Sequence, residues 1–567
     1  MGVSAPAQTG GGLRRAGTFA AATGLLHLVL IQPNHPDAMA WGALLVLPLE
    51  LPALLLGLLA LPHGGAASRA LRAALAGTLT LIAALKLADH ASFTALGRGF
   101  NPVADLALVS AALRLTAGSL GPVAAAALTA GLVLAVAALA AALWWATGVW
   151  ARPQLPRRPA LAAGAGALGA VGIAAAEIGH AMGRWSLPVA PPGAAFTARV
   201  GVERVRMARE TLADLRAFAE AARADPYAGA APLFDRLDRD LLVIFVESYG
   251  RASLDVPRYA PRTRATLGAA QAALEERGLA MRSGWLSAPT QGGQSWLSHA
   301  TLATGLRIDG QTRYSAALAS GRQTLYDLAG AAGLHAAAVM PAITLEWPEG
   351  IALGFETILA AEDLEYAGPP FNWVTMPDQY TLTALDRELR DGPDGRPLVA
   401  QVALVSSHAP WVPVPELVPW EEVGDGAVFS DMARAGDPPE VVWRDRDRVR
   451  TQYGRAVDYA LRTVFAWAAR QGDDPPLLLV LGDHQAAPFV ALEDRSDVPA
   501  HLIGPPDLVA QAAAWGWAEG LVPAPDAAVE GMEVMRDRLL AATSTGGPAR
   551  EGGARGAVAR AGEGAAP

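Results

Sequence analysis

The chain has 567 residues, is 52% hydrophobic, and has a mean hydropathy of +0.25, which is high for a soluble protein. Its formal charge is −9, Lys86 is its sole lysine, and no basic run is interleaved with aromatics, so the electrostatic footprint of a nucleic-acid binder is missing. Cysteine is absent, which excludes a disulfide scaffold, a thiolate metal site and a thiol nucleophile.

The apolar residues crowd into the first third of the chain. A helix needs roughly 20 apolar residues to cross the hydrocarbon core. Stretches at 17–34, 39–62, 70–93, 121–149 and 158–182 meet that length and predict a five-helix, all-α transmembrane bundle over 17–182, after a cytoplasmic N-terminus at 1–16. The first stretch lacks a small-residue cleavage site and is read as a retained span rather than a signal peptide. Arg14 and Arg15, then Arg69 and Arg72, then Arg152, Arg157 and Arg158 fall in alternate connections, which places those connections in the cytoplasm. With five spans, everything after them lies on the periplasmic or extracellular side. Segment 102–117, broken by Asp105 and Arg114, reads as an interfacial helix rather than a sixth span.

Ionisable residues inside spans are costly and mark either function or mutual pairing. Lys86, Asp89, His90, Glu177 and His180 fall near the outer ends of the third and fifth stretches, where they either hold a lipid head group or pair among themselves. Glu50 sits deeper, in the second stretch. A Pro/Gly turn follows at Pro188 to Gly193, and an arginine-rich amphipathic helix from about Ala198 to Ala224 makes 183–233 a juxtamembrane neck. The catalytic part is expected at 234–542, and the Gly/Ala/Arg-rich 543–567 reads as a disordered tail.

Between 234 and 542, apolar runs alternate with helical segments at Leu241–Val246, Ala336–Met340, Leu398–Val405, Leu477–Leu481 and Ala500–Ile503. Continuous apolar strands of this kind predict a mainly parallel sheet covered by helices on both faces. Ligands then bind beyond the carboxyl ends of the strands. Three strand ends carry chemistry: Glu247 after the first, His408 within Ser406-Ser407-His408 after the third, and Asp483-His484 after the fourth. Two carboxylates and an imidazole suit one divalent cation, with Mn, Zn and Mg as candidates. The stretch Gly292-Gly293-Gln294-Ser295-Trp296-Leu297-Ser298-His299 is a glycine-loosened loop that presents a hydroxyl and enters a helix. A helix N-terminus offers unpaired N–H groups to an oxyanion. Ser295 is therefore the candidate nucleophile and a fourth ligand, its hydroxyl acidified by the cation.

Glu247, the run Ser295-x-x-Ser298-His299-Ala300-Thr301-Leu302-Ala303-Thr304-Gly305-Leu306, and Gly482-Asp483-His484 resemble the alkaline phosphatase/sulfatase superfamily. Together with the preceding spans, the chain resembles the membrane-anchored branch, which includes lipoteichoic acid synthases, phosphoglycerol transferases and phosphoethanolamine transferases. The resemblance implies an α/β sulfatase-like fold, a nucleophile at Ser295, and a substrate-side histidine at His408. Sulfatases carry a proline and an arginine where this chain has Leu297 and His299, and their formylglycine conversion depends on both. An unmodified serine acting on phosphorus is expected instead. Trp347 stands about where lipoteichoic acid synthases line a head-group pocket, and Gln294, His299 and Trp347 are candidate substrate contacts.

The function expected is a membrane-bound, metal-dependent phosphotransferase. It would move a phospholipid head group, phosphoglycerol being the leading candidate, through a serine-linked intermediate to a glycan or other hydroxyl acceptor. The alternatives are a hydrolase of phosphodiesters or sulfuric esters, and a phosphoethanolamine transferase, against which the absence of cysteine counts.

Overall fold

The computed structural model describes residues 10–548, apart from 63, 97–98, 107–108, 110–111, 114–115, 118–120, 190, 373–374, 393 and 473. The chain divides into two compact units, Met1–Arg216 and Ala217–Pro567. Much of the expected interfacial helix at 102–117, and the tail beyond 548, lie outside the described residues.

The first unit holds helices α1 (Gly10–Ile31), α2 (Glu50–Ala60), α3 (Ala66–Leu96), α4 (Pro122–Ala151) and α5 (Arg157–Ala181), and α6 (Phe196–Arg223) leads from it into the second. Among the described residues, three helices are long and apolar enough to cross a membrane: Ala66–Thr94 within α3, and α4 and α5. The second expected span, 39–62, differs. It begins with two 3-10 turns, Pro36–Ala38 and Trp41–Leu45, and only the 11 residues of α2 are α-helical. At 1.5 Å per residue, α2 covers about 16 Å of a core about 30 Å thick. Hydropathy did not reveal this, because the break comes from proline rather than polarity. Pro48 disfavours helix at Leu47, and the backbone there pairs with Ala194 instead: Ala194 N–H donates to Leu47 O and Leu49 N–H to Ala194 O, both at 3.1 Å.

The arginine-bearing ends gather at one end of this bundle. Arg72 donates to the Trp144 carbonyl at 3.0 Å, and Phe19 packs edge-on against Trp150 at 5.0 Å. At the other end the buried charges have protein partners. Lys86, fully buried, donates to Thr197 Oγ1 at 2.6 Å and to the Leu30 carbonyl at 3.2 Å. Asp89 pairs with Arg204 at 2.5 Å and accepts from Phe100 N–H at 2.9 Å. Glu177 accepts from Ala195 N–H at 3.0 Å and lies 3.5 Å from Arg199. His180 Nδ1 lies 3.2 Å from the Trp185 carbonyl, and Glu50 accepts from Ala198 N–H at 2.8 Å. Protein partners therefore satisfy Lys86, Asp89, Glu177 and His180, whereas Glu50 keeps one buried carboxylate oxygen, Oε2, without a hydrogen-bond partner among the described residues.

The second unit is built on a nine-stranded sheet. Its strands are β1 (Leu241–Val246), β2 (Ala280–Ser287), β3 (His335–Met340), β4 (Thr357–Ala360), β5 (Leu398–Leu404), β6 (Leu477–Gly482), β7 (Asp497–Gly504), β8 (Ala518–Glu519) and β9 (Val529–Gly531). They lie in the order β4-β3-β5-β1-β6-β7-β2-β8, with β9 beside β2. The first five in that order are mutually parallel, while β7 runs antiparallel to both β6 and β2. Helices cover both faces, among them α7 (Ala260–Glu275), α8 (Ser295–Thr304), α9 (Leu325–Ala331), α10 (Asp378–Leu385), α11 (Arg446–Ala468) and α12 (Val534–Thr543).

Every residue of β1, β3, β5 and β6 is buried, which is why these strands read as unbroken apolar runs. Alternate residues divide between two cores. Leu242, Ile244 and Val246 face one that includes α11, and Leu241, Val243 and Phe245 face one that includes α12. Burying such aliphatic side chains contributes roughly 1.5–3 kcal/mol each. The register also aligns the strand ends, because Val246 stands opposite both Leu404 and Gly482.

Candidate active site

Because three neighbouring strands stop at one level, the residues that follow them meet. Glu247 follows β1, Ser406 to His408 follow β5, and Asp483-His484 follows β6. Two glycines permit this approach. A Cβ on Gly482 would fall 1.9 Å from the Tyr249 carbonyl oxygen, and one on Gly250 would fall 1.8 Å from Gln485 Oε1. Ser295 arrives from the β2 side. Gly292 N–H donates to the Gln485 carbonyl at 2.7 Å, tying the nucleophile loop to the loop that bears Asp483 and His484. Gln294 then turns into α8 with φ +67° and makes no side-chain cap bond; Leu297 N–H donates to the Gln294 carbonyl at 3.0 Å, and no side chain among the described residues caps the N–H groups of Ser295 and Trp296.

Ser295 Oγ lies 3.0 Å from Glu247 Oε2 and 3.3 Å from His484 Nε2. His484 Nε2 is in turn 3.2 Å from Glu247 Oε1 and 3.7 Å from Asp483 Oδ2. Ligand atoms of Glu247, Asp483 and His484 all lie within 4.8 Å of one another, the one such cluster of three among the described residues. Tetrahedral ligands at about 2.1 Å from a metal stand about 3.4 Å apart. The observed spacing of 3.0–3.7 Å matches that, so the residues present fit one divalent cation.

Outer contacts orient these ligands. Asp483 Oδ1 accepts from Ser248 N–H at 2.8 Å and from His484 N–H at 2.6 Å, which leaves Oδ2 for the cluster. His484 Nδ1 lies 3.0 Å from the Gln485 carbonyl, the arrangement in which Nδ1 carries the proton and Nε2 offers its lone pair. Ser407 Oγ donates to the Glu247 carbonyl at 2.6 Å, and Tyr453 OH to the Ser248 carbonyl at 3.0 Å.

The electrostatics carry the same signature. Burial opposes charge on all three groups. The His484 imidazole nonetheless holds Glu247 below the usual carboxylate range. Burial and the Glu247 charge push Asp483 up, and the two carboxylates push His484 up against its own burial. Two acids this close retain a proton between them unless a cation takes its place.

The remaining candidates separate. His408 is exposed on the β5 loop, where its charge is felt by Glu247 and its Nδ1 lies 2.5 Å from the Ala409 carbonyl. Gln294 is exposed beside Ser295. His299, one turn into α8, is buried with its ring 4.1 Å from that of Phe245, and burial lowers its pKa to about 4. It is a neutral imidazole packed against the sheet. Trp347 packs on Phe355 at 5.9 Å and lines a pocket of about 450 Å³ that includes none of the cluster residues. His335, at the opposite strand end, bonds Thr357 Oγ1 at 2.8 Å, and His501 on β7 is enclosed by Tyr249 OH at 3.1 Å and Ser283 Oγ at 2.8 Å.

Sequence reasoning missed the supporting residues. Asp378, fully buried at the start of α10, accepts from Ser406 N–H through Oδ1 and donates its own N–H to Ser406 Oγ, both at 2.9 Å, so it braces the His408 loop. Its only advance signal is an acidic residue after a proline at a helix start, a common cap.

Residues 239–501 match the family model described as Sulfatase. No curated protein matches the sequence. Similar solved structures include the lipoteichoic acid synthase LtaP of Listeria monocytogenes, at 13% identity over 55% of this chain and 73% of that one, with a TM-score of 0.37. The phosphoglycerol transferase GacH of Streptococcus pyogenes aligns at 15% identity over 52% of this chain and 75% of its own, with a TM-score of 0.33. The lipooligosaccharide phosphoethanolamine transferase A of Neisseria meningitidis aligns at 15% identity over 93% of this chain and 95% of its own, with a TM-score of 0.45.

Proposed function

Residues 239–501 form a sulfatase-family, alkaline phosphatase-like domain, and from that premise we propose that the chain is a membrane-bound phosphotransferase that uses Ser295 as its nucleophile. One observation carries the reading: the Ser295 hydroxyl stands 3.0 Å from Glu247 and 3.3 Å from His484, inside the one cluster among the described residues suited to a cation. Glu247, Asp483, His484 and Ser295 would hold that ion, which when bound lowers the pKa of the hydroxyl and offsets charge on a phosphoryl oxygen.

The protein's own groups would do the rest. Ser295 Oγ attacks phosphorus of a phospholipid head-group diester, the Ser–O–P bond forms, and the bond to the diacylglycerol oxygen breaks. His408 would take the Ser295 proton and return it to the departing diacylglycerol alkoxide. The N–H groups of Ser295 and Trp296, which no side chain caps, would stabilise the charge on the phosphoryl oxygens. In the second step an acceptor hydroxyl, from a glycan or another alcohol, displaces Ser295 and restores it.

The chain's own bundle supplies the reason for a lipid donor. Helices apolar enough to cross a bilayer precede the domain, and their arginines favour a catalytic domain on the periplasmic or extracellular side. Purified protein given labelled phosphatidylglycerol, phosphatidylethanolamine and an aryl sulfate in parallel tests the reading. Release of diacylglycerol from a phospholipid that depends on Ser295 is the expected result. Cleavage of the aryl sulfate alone would overturn it.

A further inference from the structure

A groove of about 650 Å³ lies between α3 and α6 within the N-terminal unit. Leu81, Ile82 and Leu85 of α3 form one wall, and Val202 and Val205 of α6 form the other. Leu81, Val202 and Val205 are exposed, so this apolar surface has no protein cover among the described residues. α6 lies tight against α3 at the base, where a Cβ on Gly201 would come within 3.2 Å of Ile82 Cδ1. An adjoining cavity of about 480 Å³ shares Thr78, Ile82 and Ala198 and continues along the apolar faces of α2, α3 and α5.

The rim is cationic. Arg184, Arg206 and Arg209 line it with one acid, Glu210. Arg206 shares an exposed pair with Glu210 at 3.5 Å. Arg184 and Arg209 have no carboxylate partner among the described residues. Arg204, also at the rim, is consumed by Asp89 at 2.5 Å. Two uncompensated guanidinium groups therefore stand over an exposed aliphatic wall on a helix long enough to cross a bilayer. A soluble anion would leave the wall wet, and an uncharged acyl chain would leave the arginines unmatched. One chemistry satisfies both.

We propose that this groove is a binding site for an anionic phospholipid, its phosphate held by Arg184, Arg206 and Arg209 and an acyl chain laid along α3. None of these residues belongs to the candidate catalytic centre, so the site is one of residence rather than reaction, and it does not depend on the Ser295 chemistry.

Native mass spectrometry of the full chain in detergent, titrated with phosphatidylglycerol or with phosphatidylcholine of the same acyl length, tests this. Phosphatidylglycerol is expected to bind at least tenfold more tightly. The R184Q/R209Q variant should lose roughly fivefold per arginine for phosphatidylglycerol alone, because a basic residue near anionic lipid is worth about 1 kcal/mol. Val202→Trp, which fills the groove, should weaken both lipids. Arg184, Val202 and Arg209 are exposed, and a thermal melt verifies that the variants fold. Equal affinity for the two lipids, unchanged phosphatidylglycerol binding in R184Q/R209Q, or displacement of the lipid by millimolar inorganic phosphate would each overturn the proposal. R184Q/R209Q leaves Glu247, Ser295, Asp483 and His484 in place, which keeps this test separate from that of the catalytic reading.

Discussion

At the scale of single residues, the proposed site reduces to four candidate ligand atoms and the contacts that aim them. Asp483→Asn keeps the shape but removes a charge from the cluster, so bound-metal analysis should show at least a tenfold loss of divalent-cation affinity; unchanged occupancy would remove Asp483 from the ligand set. Ser407→Ala deletes the hydroxyl that holds the Glu247 carbonyl at 2.6 Å and should lower turnover 10–100-fold, as outer contacts to metal ligands typically do, with Tm nearly unchanged. His501 supplies a pH dependence unrelated to catalysis. Burial holds it neutral, with its pKa lowered to about 3. The unfolded chain takes up that proton near pH 6.5 and the folded chain does not, so stability is complete above 6.5 and falls on acidification, by up to about 1.4 kcal/mol per pH unit. His501→Gln should flatten the fall in Tm between pH 7 and pH 4.5. A slope equal to the parent's would show that His501 does not cause it.

At the scale of elements, what was legible depended on how each one meets its surroundings. β1, β3, β5 and β6 are buried on both faces, and their unbroken Val, Leu and Ala runs gave their positions almost to the residue. Glu247, Asp483 and His484 followed from them, because a polar residue ending a buried strand is conspicuous. β2 was missed. Its Arg282, Ser283 and Gly284 look unlike a core strand until β7 and β8 supply partners: Arg282 meets Glu519 at 2.7 Å and Ser283 meets His501 at 2.8 Å. β4, β8 and β9 have four residues or fewer and carry no periodic signal. The glycines were opaque for another reason, since only the fold shows what a Cβ would strike. Gly482→Ala would drive a methyl into the Tyr249 carbonyl and should cost several kcal/mol together with cation binding. Gly268→Ala, in α7 with open space around it, should instead raise stability by about 0.5–1 kcal/mol. Paired thermal melts of the two variants check the contrast.

At the scale of the whole molecule, hydropathy pointed to the helices apolar enough to span but not to their detail: α3, α4 and α5 are long enough, whereas 39–62 is interrupted around Pro48. The buried charges of that unit could be named from the sequence, but their partners could not, because Lys86 with Thr197 and Asp89 with Arg204 join residues more than a hundred positions apart. The absence of cysteine makes topology directly measurable, since any introduced thiol is unique. A membrane-impermeant thiol reagent on intact cells should label Asp494→Cys in the sulfatase-like domain and spare Gly65→Cys between α2 and α3, and the reverse pattern would place that domain in the cytoplasm. The central claim, that Ser295 carries a phosphoryl-linked head group between donor and acceptor, is tested most directly by the mass of the peptide containing Ser295 after rapid mixing with a phospholipid donor and acid quench. The account predicts that this peptide gains the mass of one phosphorylated head group, that the gain decays when an acceptor alcohol is added, and that Ser295→Ala shows neither gain nor turnover. Phospholipid turnover by Ser295→Ala, with no peptide modified in the parent, would contradict it.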